Sequence, residues 1–211
     1  MTSLKKGFTL AEILISMTIV GIIASLVLPQ IMLKSRDVQA GAVLGKAVQQ
    51  IELGAKNYIA EYNEKHSDYG YTDTLSQANP TITLLAPYFG STFVEFVTKY
   101  EYKKYNDSEI TTINSTAYHF KFDKLKADYY ISPASNIDAK YICIIDINGF
   151  DTKPNMLGKD IFYFGLHDDG KMKPYGLDST DHYKVNCTDT NITDGKACAA
   201  RVVADGFRIN Y

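Results

Sequence analysis

The pattern of apolar and polar positions divides the chain into three parts. From Phe8 to Leu28 the sequence is apolar, broken only by small hydroxyl residues, glycine and a single charge, Glu12. At about 1.5 Å rise per helical residue those positions reach roughly 30 Å, the thickness of a bilayer's hydrocarbon core. From Gln30 the helical pattern continues in amphipathic form. Leu44, Val48, Ile51, Ala55, Tyr58 or Ile59, and Tyr62 recur at steps of three and four, while Lys46, Gln49, Gln50, Glu52, Lys56, Asn57 and Glu61 fill the other faces. The spacing predicts one rod from Phe8 to about Glu64, on the order of 85 Å long. Pro29 is expected to kink it or melt a turn near Leu28, because it lacks an amide and clashes with the preceding turn.

The third part reads differently. His66-Ser67-Asp68-Tyr69-Gly70 ends the helix, and Thr81 to Tyr100 reads as one or two short helices interrupted at Pro87 and Gly90. Strand candidates rich in aromatic and β-branched residues follow at Ala117–Phe122, Asp128–Ser132, Lys140–Ile147 and Asp160–Leu166. They predict an antiparallel meander of about four strands whose apolar face lies on the distal helix. The stretch from Asp194 to Gly206 reads as a short helix closed by its glycine, with Phe207 to Tyr211 extended. The fold class is α+β.

Charge changes the reading of the first part. An ionised carboxylate at mid-bilayer costs on the order of 2.5 to 3.5 kcal/mol, so Glu12 needs a partner or a purpose, and no cation lies within the apolar run. A secretory signal places its cleavage site beyond the apolar core. Here the natural cut precedes it, at Gly7 after the basic pair Lys5-Lys6. Lys5-Lys6-Gly7-Phe8-Thr9-Leu10-Ala11-Glu12 followed by an apolar helix resembles the amino terminus of type IV prepilins and of type II secretion pseudopilins, and Pro29 closes the apolar segment as is common in that family. The resemblance implies a pilin-like fold, cleavage between Gly7 and Phe8 by a prepilin peptidase, methylation of the Phe8 amine, and assembly into a helical filament in which Glu12 faces a neighbour's Phe8 amine. The partners implied are that peptidase, other copies or pilin-like subunits, and an inner-membrane assembly platform. Thr9-x-x-Glu12 also fits a capping box, and the helix dipole favours a carboxylate there. Capping does not account for the leader, and the two readings are compatible.

The parts become a leader at 1–7, a transmembrane and assembly helix at 8–29, an amphipathic extension at 30–66 and a globular domain at 67–211. Lys5 and Lys6 stay cytoplasmic by the positive-inside rule, which makes the chain single-pass in a bacterial inner membrane with its bulk extracytoplasmic. The net charge of −2 falls to −4 without the leader, and gives no reason to expect nucleic acid as an obligatory partner. Lys99-Tyr100-Glu101-Tyr102-Lys103-Lys104-Tyr105 interleaves basic and aromatic groups as single-strand binders do, but Glu101, Asp107 and Glu109 dilute it to a solvated surface. Gly21 and Ser25 form a small-xxx-small pair open to another helix. Gly41, Gly45 and Gly54 each weaken the distal helix by up to about 1 kcal/mol, which packing must offset.

Three cysteines remain. Cys187 and Cys198 flank a polar loop in a compartment that permits oxidation, and a bridge there contributes roughly 2 to 3 kcal/mol; it also resembles the disulfide-bounded carboxy-terminal loop of many type IV pilins. Cys143 sits among isoleucines as a small hydrophobe, though cysteine count alone leaves open which of the three is unpaired. Asp146, Asn148 and Asp151 open a loop dense in oxygen ligands, and the family resemblance adds calcium as a candidate cofactor, since major pseudopilins carry such a loop. The spacing departs from the EF-hand, and Asn-Gly and Asp-Asp-Gly are also ordinary turn sequences. His66, His119, His167 and His182 are scattered, no nucleophile or phosphate-binding motif occurs, and His167-Asp168 beside a glycine reads as a turn rather than a catalytic pair. The chain therefore reads as a structural filament subunit and not an enzyme, the alternative being a membrane-anchored extracytoplasmic binding module that forms no filament.

Overall fold

The computed structural model describes residues 9–65, 75, 81–98, 100–105, 110–113, 117–134, 139–149, 151–177, 183–188, 192 and 195–211. The chain divides into two compact units, residues 1–38 and 39–211. Helix α1, Leu10–Lys65, begins in the first and ends in the second. Of the kink or melted turn expected at Pro29, the melted turn does not occur, since the helix runs through the proline unbroken. Proline already has a helical φ and removes one hydrogen bond, whereas breaking the helix would require a second, unfavourable nucleation.

Within the second unit, Leu44, Ala47, Val48, Ile51, Ala55 and Ile59 form one buried stripe along α1. This is the stripe the three-and-four spacing predicts, with Tyr58 and Tyr62 at its margin. The stripe is covered by an antiparallel sheet. In chain order its strands are β1 Ser91–Val97, β4 Ala117–Phe122, β5 Asp128–Pro133, β6 Tyr141–Asp146, β7 Ile161–Leu166 and β8 Met172–Pro174, hydrogen-bonded in that order. A two-stranded sheet, β2 Tyr100–Lys103 with β3 Ile110–Ile113, is inserted between β1 and β4 in sequence.

Register aligns the apolar positions into rows. Phe120, Tyr129, Ile145 and Phe162 are cross-strand neighbours in β4 to β7, and Ile131, Cys143 and Phe164 form a parallel row. All seven are at most 2 % exposed and pack with the α1 stripe in a single core. Burying each large side chain contributes about 1.5 to 3 kcal/mol, so this layer is the main stabilising element. The opposite face is buried too. Tyr130, Ile144 and Ile161 pack there with Tyr102 of β2 and with Leu157, which is why β5, β6 and β7 read as apolar runs rather than alternating strands.

Three expectations are corrected. Four predicted strands appear within a residue or two as β4 to β7, but the sheet has six. Thr81 to Tyr100 is not helical beyond one turn, α2 Ile82–Leu85. After Gly90, at φ 59, the chain enters β1 and pairs with β4, a tertiary pairing that uses the aromatic and β-branched content of Ser91–Val97. The Lys99–Tyr105 stretch is likewise not a wholly solvated surface, since Tyr102 is 3 % exposed and packs against Tyr130, Ile144 and Ile161 of the sheet.

The chain ends its described portion with α3 Tyr183–Asn186 and α4 Cys198–Ala204. Gly206, at φ 68, closes α4: the Gly206 amide donates to the Val203 carbonyl at 3.1 Å and the Phe207 amide to the Val202 carbonyl at 2.7 Å. This is the crossed pair of hydrogen bonds that a left-handed glycine permits after a helix. The helix is shorter than the predicted span from 194, and Phe207 is not extended but left-handed at φ 59.

Candidate functional site

Of the residues that the sequence marks for processing and assembly, Glu12 sits at the start of α1. Gly7 and Phe8 lie outside the described residues. Glu12 lies in the first helical turn, and its Oε2 accepts from both the Thr9 backbone amide and the Thr9 hydroxyl, each at 2.8 Å. The Glu12 amide donates back to Thr9 Oγ1 at 3.3 Å. Two amides that the helix start would leave unpaired are thereby satisfied, the reciprocal arrangement of a capping box. Oε1 makes no hydrogen bond among the described residues. Ser16 and Thr18 return their hydroxyls to the Glu12 and Leu14 carbonyls at 2.7 and 2.8 Å, so the small polar side chains of this segment are spent on its own backbone.

The apolar side chains of the same segment have no cover among the described residues. Leu10 is 79 % exposed and Leu26 67 %, and Ile15, Met17, Val20 and Ile22 are all exposed. A contiguous apolar surface of this length is unstable in water and requires lipid or other protein around it. Gly21 has nothing within 4 Å of where a Cβ would stand, leaving the Gly21–Ser25 strip open.

In the second unit Cys187 and Cys198 are joined by a disulfide, with Cα atoms 5.2 Å apart. Cys143 is the free thiol, fully buried in the centre of the sheet. Burial pushes its thiol well above the ordinary range, which makes it chemically inert as well as inaccessible. Arg201 couples the bridge to its surroundings: its Nη1 donates to the Cys187 carbonyl at 3.1 Å, its Nε lies 3.6 Å from Asp205 Oδ2, and its guanidinium sits 4.8 Å from the centre of the Tyr211 ring. The spacing of Cys187 and Cys198 signalled the bridge, but nothing in the sequence singled out Arg201, which besides Asp205 one turn on reaches Cys187 and Tyr211, 14 and 10 residues away along the chain.

The oxygen-rich loop is built as a turn. Asp146 is fully buried and its Oδ1 accepts from the Asn148 and Gly149 amides at 3.2 and 3.1 Å, while Asp151 is exposed. Asn148 points instead to Asp160, its Nδ2 donating to Oδ2 at 3.2 Å. Asp160 also takes the Asn155 and Met156 amides, yet desolvation outweighs these bonds and raises its pKa. Among the described residues there is no group of three or more His, Cys, Asp or Glu side chains placed to hold a metal. His119 is buried in the sheet, stacked on Tyr130 and 3.3 Å from Asp128. His167 caps a turn in which the Gly170 amide donates to its carbonyl, and His66 and His182 lie outside the described residues. Among the described residues, His119 and His167 form no shared site with other metal-ligating groups.

An exposed apolar helix long enough to cross a bilayer, opening on a Thr–Glu capping box, is thus joined to an α+β unit. Residues 2–28 match the family model described as the prokaryotic N-terminal methylation motif. The chain is also similar to the type IV major pilin protein PilE1 of Neisseria gonorrhoeae, 33 % identical over 94 residues that cover 44 % of this chain. It spans 42 % of the length of that relative. No solved structure matches significantly.

Proposed function

We propose that this chain is a structural subunit of a type IV pilus-like or type II secretion pseudopilus filament. Prepilin peptidase cuts between Gly7 and Phe8, the Phe8 amine is methylated, and the subunit waits in the inner membrane with its globular unit extracytoplasmic until an assembly platform extracts it. The single observation that carries the reading is the match of residues 2–28 to the methylation motif, whose described part from Leu10 is a helix with its apolar side chains exposed. In the bilayer lipid covers that surface. In the filament copies of the same helix, or those of other pilin-like subunits, replace the lipid, so little apolar surface need ever meet water.

Glu12 supplies register in this scheme. One carboxylate oxygen is held by Thr9, which fixes the side chain at the helix start, and the other is left for the Phe8 amine of a neighbour. In a low-dielectric core an unmatched charge is penalised, so only the axial offset that pairs the two is stable. The expected outcome for Glu12→Ala is a chain still starting at methylated Phe8 by mass spectrometry, with the sheared filament fraction reduced about tenfold or more, since an uncompensated buried charge exceeds the roughly 1.4 kcal/mol that tenfold requires. Undiminished filament yield would exclude the register role, whereas absence of the parent chain from the sheared fraction, with its function insensitive to Glu12 changes, would favour a membrane-anchored binding module. Calcium at Asp146, Asn148 and Asp151 stays a separate proposal, supported by the oxygen density of the loop alone.

A further inference from the structure

We infer that Phe207–Tyr211 is a latch on α1, closing over two glycines where the helix enters the globular unit, tied at its far end to the disulfide-bounded region, and opening before the sheet does. The unit begins at Gln39, and Gly41 and Gly45 lie in its first two helical turns. What covers them is this segment. A Cβ on Gly41 would collide with the Phe207 carbonyl, and one on Gly45 would meet the Phe207 ring at 3.1 to 3.4 Å. The glycines are helix-weakening residues kept at the two positions where an aromatic residue and its backbone lie against the helix.

The latch is held under strain. Phe207 is left-handed at φ 59, a region that bulky residues seldom occupy, directly after the left-handed Gly206. A conformation that costs free energy persists because its contacts over-determine it, and such outliers mark places built to have a second state. The contacts are few and alternate along the segment. Phe207 and Tyr211 are half-buried and Ile209 is buried, while Arg208 and Asn210 are exposed. At the far end the Tyr211 hydroxyl donates to the Gly158 carbonyl at 2.6 Å, and its ring lies under the guanidinium of Arg201, which in turn holds the Cys187 carbonyl. The segment joins the same core as the sheet only through Ile209, with Phe207 and Tyr211 packed against it, and pairs with no strand among the described residues, whereas the sheet is hydrogen-bonded strand to strand and buried on both faces, so the segment opens at the lower cost. Whatever pulls along α1 from its membrane half meets this latch first. That use under load rests on the filament reading; the latch itself is a property of the globular unit.

The test is hydrogen exchange on the full chain in detergent micelles. Phe207→Ala is expected to speed exchange of α1 amides 39–46 by about tenfold or more while β5 to β7 stay protected, as local opening of a low-stability unit requires. Tyr211→Phe, which removes one hydroxyl and cannot plausibly unfold the chain, is expected to accelerate the same α1 segment more weakly. Unchanged exchange at 39–46 in Tyr211→Phe and Phe207→Ala overturns the latch, and so does equal acceleration of 39–46 and the sheet, which would make the segment ordinary core. Failure here leaves the filament reading intact, and failure of the Glu12→Ala test leaves the latch intact.

Discussion

The two halves of α1 are made of similar residues and have opposite fates. Leu10, Leu14 and Leu28 are 79, 57 and 56 % exposed, whereas Leu44 and Ile51 are fully buried beneath the sheet. Composition separates the halves in their polar residues: Glu12 is the lone charge from Phe8 to Leu28, where no Asn or Gln occurs, while Lys46, Gln49, Gln50, Glu52, Lys56, Asn57 and Glu61 flank the buried stripe. A helix meant to be covered on one side by its own chain needs a polar remainder. A helix with apolar residues on every face has no side suited to water, and that is the half which the proposed filament reading assigns to assembly.

Glycine gives the sharpest way to break the comparison, because the same residue sits in both halves. A Cβ at Gly54 would stand 2.6 Å from the Tyr88 carbonyl carbon and 2.5 Å from a Phe89 ring carbon, whereas Gly21 has nothing within 4 Å. Gly54→Val therefore forces the helix away from the segment before β1, and is expected to destabilise the globular unit by about 3 kcal/mol, the upper end of overpacking costs. Gly21→Val is expected to leave the melting temperature of that unit unchanged and to show itself only in helix association within the membrane. Thermal melts of the two variants in the same detergent check both. A comparable loss of melting temperature in each would mean that the two halves are not independent.

How much of this was legible in the sequence follows the same division. In the first half the apolar helix and the capping box were legible, since Thr9 and Glu12 form the reciprocal bonds that their spacing predicts, whereas the unbroken passage through Pro29 was not. The central strands were legible from their aromatic and β-branched runs. What was not legible is whatever depends on distant partners. Ser91–Val97 could not declare itself an edge strand without β4 to pair with, and the row that buries Cys143 between Ile131 and Phe164 is a matter of register. Gly41 and Gly45 looked like weak points of a helix; only the approach of Phe207 shows what they accommodate.

A smaller effect comes from the bridge. Cys187 and Cys198 are 11 residues apart, and opening a ring of that size removes roughly 3 kcal/mol in the loop-entropy model. The double substitution Cys187→Ser with Cys198→Ser is expected to lower the melting temperature of the globular unit by on the order of 5 to 10 °C. It should leave the membrane half untouched, so processing to Phe8, followed by mass spectrometry, should proceed as in the parent chain. Loss of processing in the bridge-free chain would tie the halves together in a way their contacts do not.

The smallest effect sharpens the far end of α1, where the helix meets solvent. Glu61 accepts hydrogen bonds from Lys65 one turn on and from the Tyr88 hydroxyl, and these hold its carboxyl below the usual range, with Lys65 the larger influence. A carboxyl whose folded pKa is depressed contributes stability that is fully present above its unfolded value, near 4.5, and that is lost as the pH falls through the folded value. The pair is solvent-exposed and screened by salt, so the contribution is small. Glu61→Gln is expected to melt slightly below the parent at pH 7 and level with it in acid, with the gap narrowing as salt is added. A gap that persists at low pH would mean that the Tyr88 contact, not the charge, is what Glu61 provides. In that case the last turns of α1 are fastened to the loop before β1 by a neutral hydrogen bond and the T-shaped packing of Tyr58 on Tyr88, whose ring centres are 5.2 Å apart.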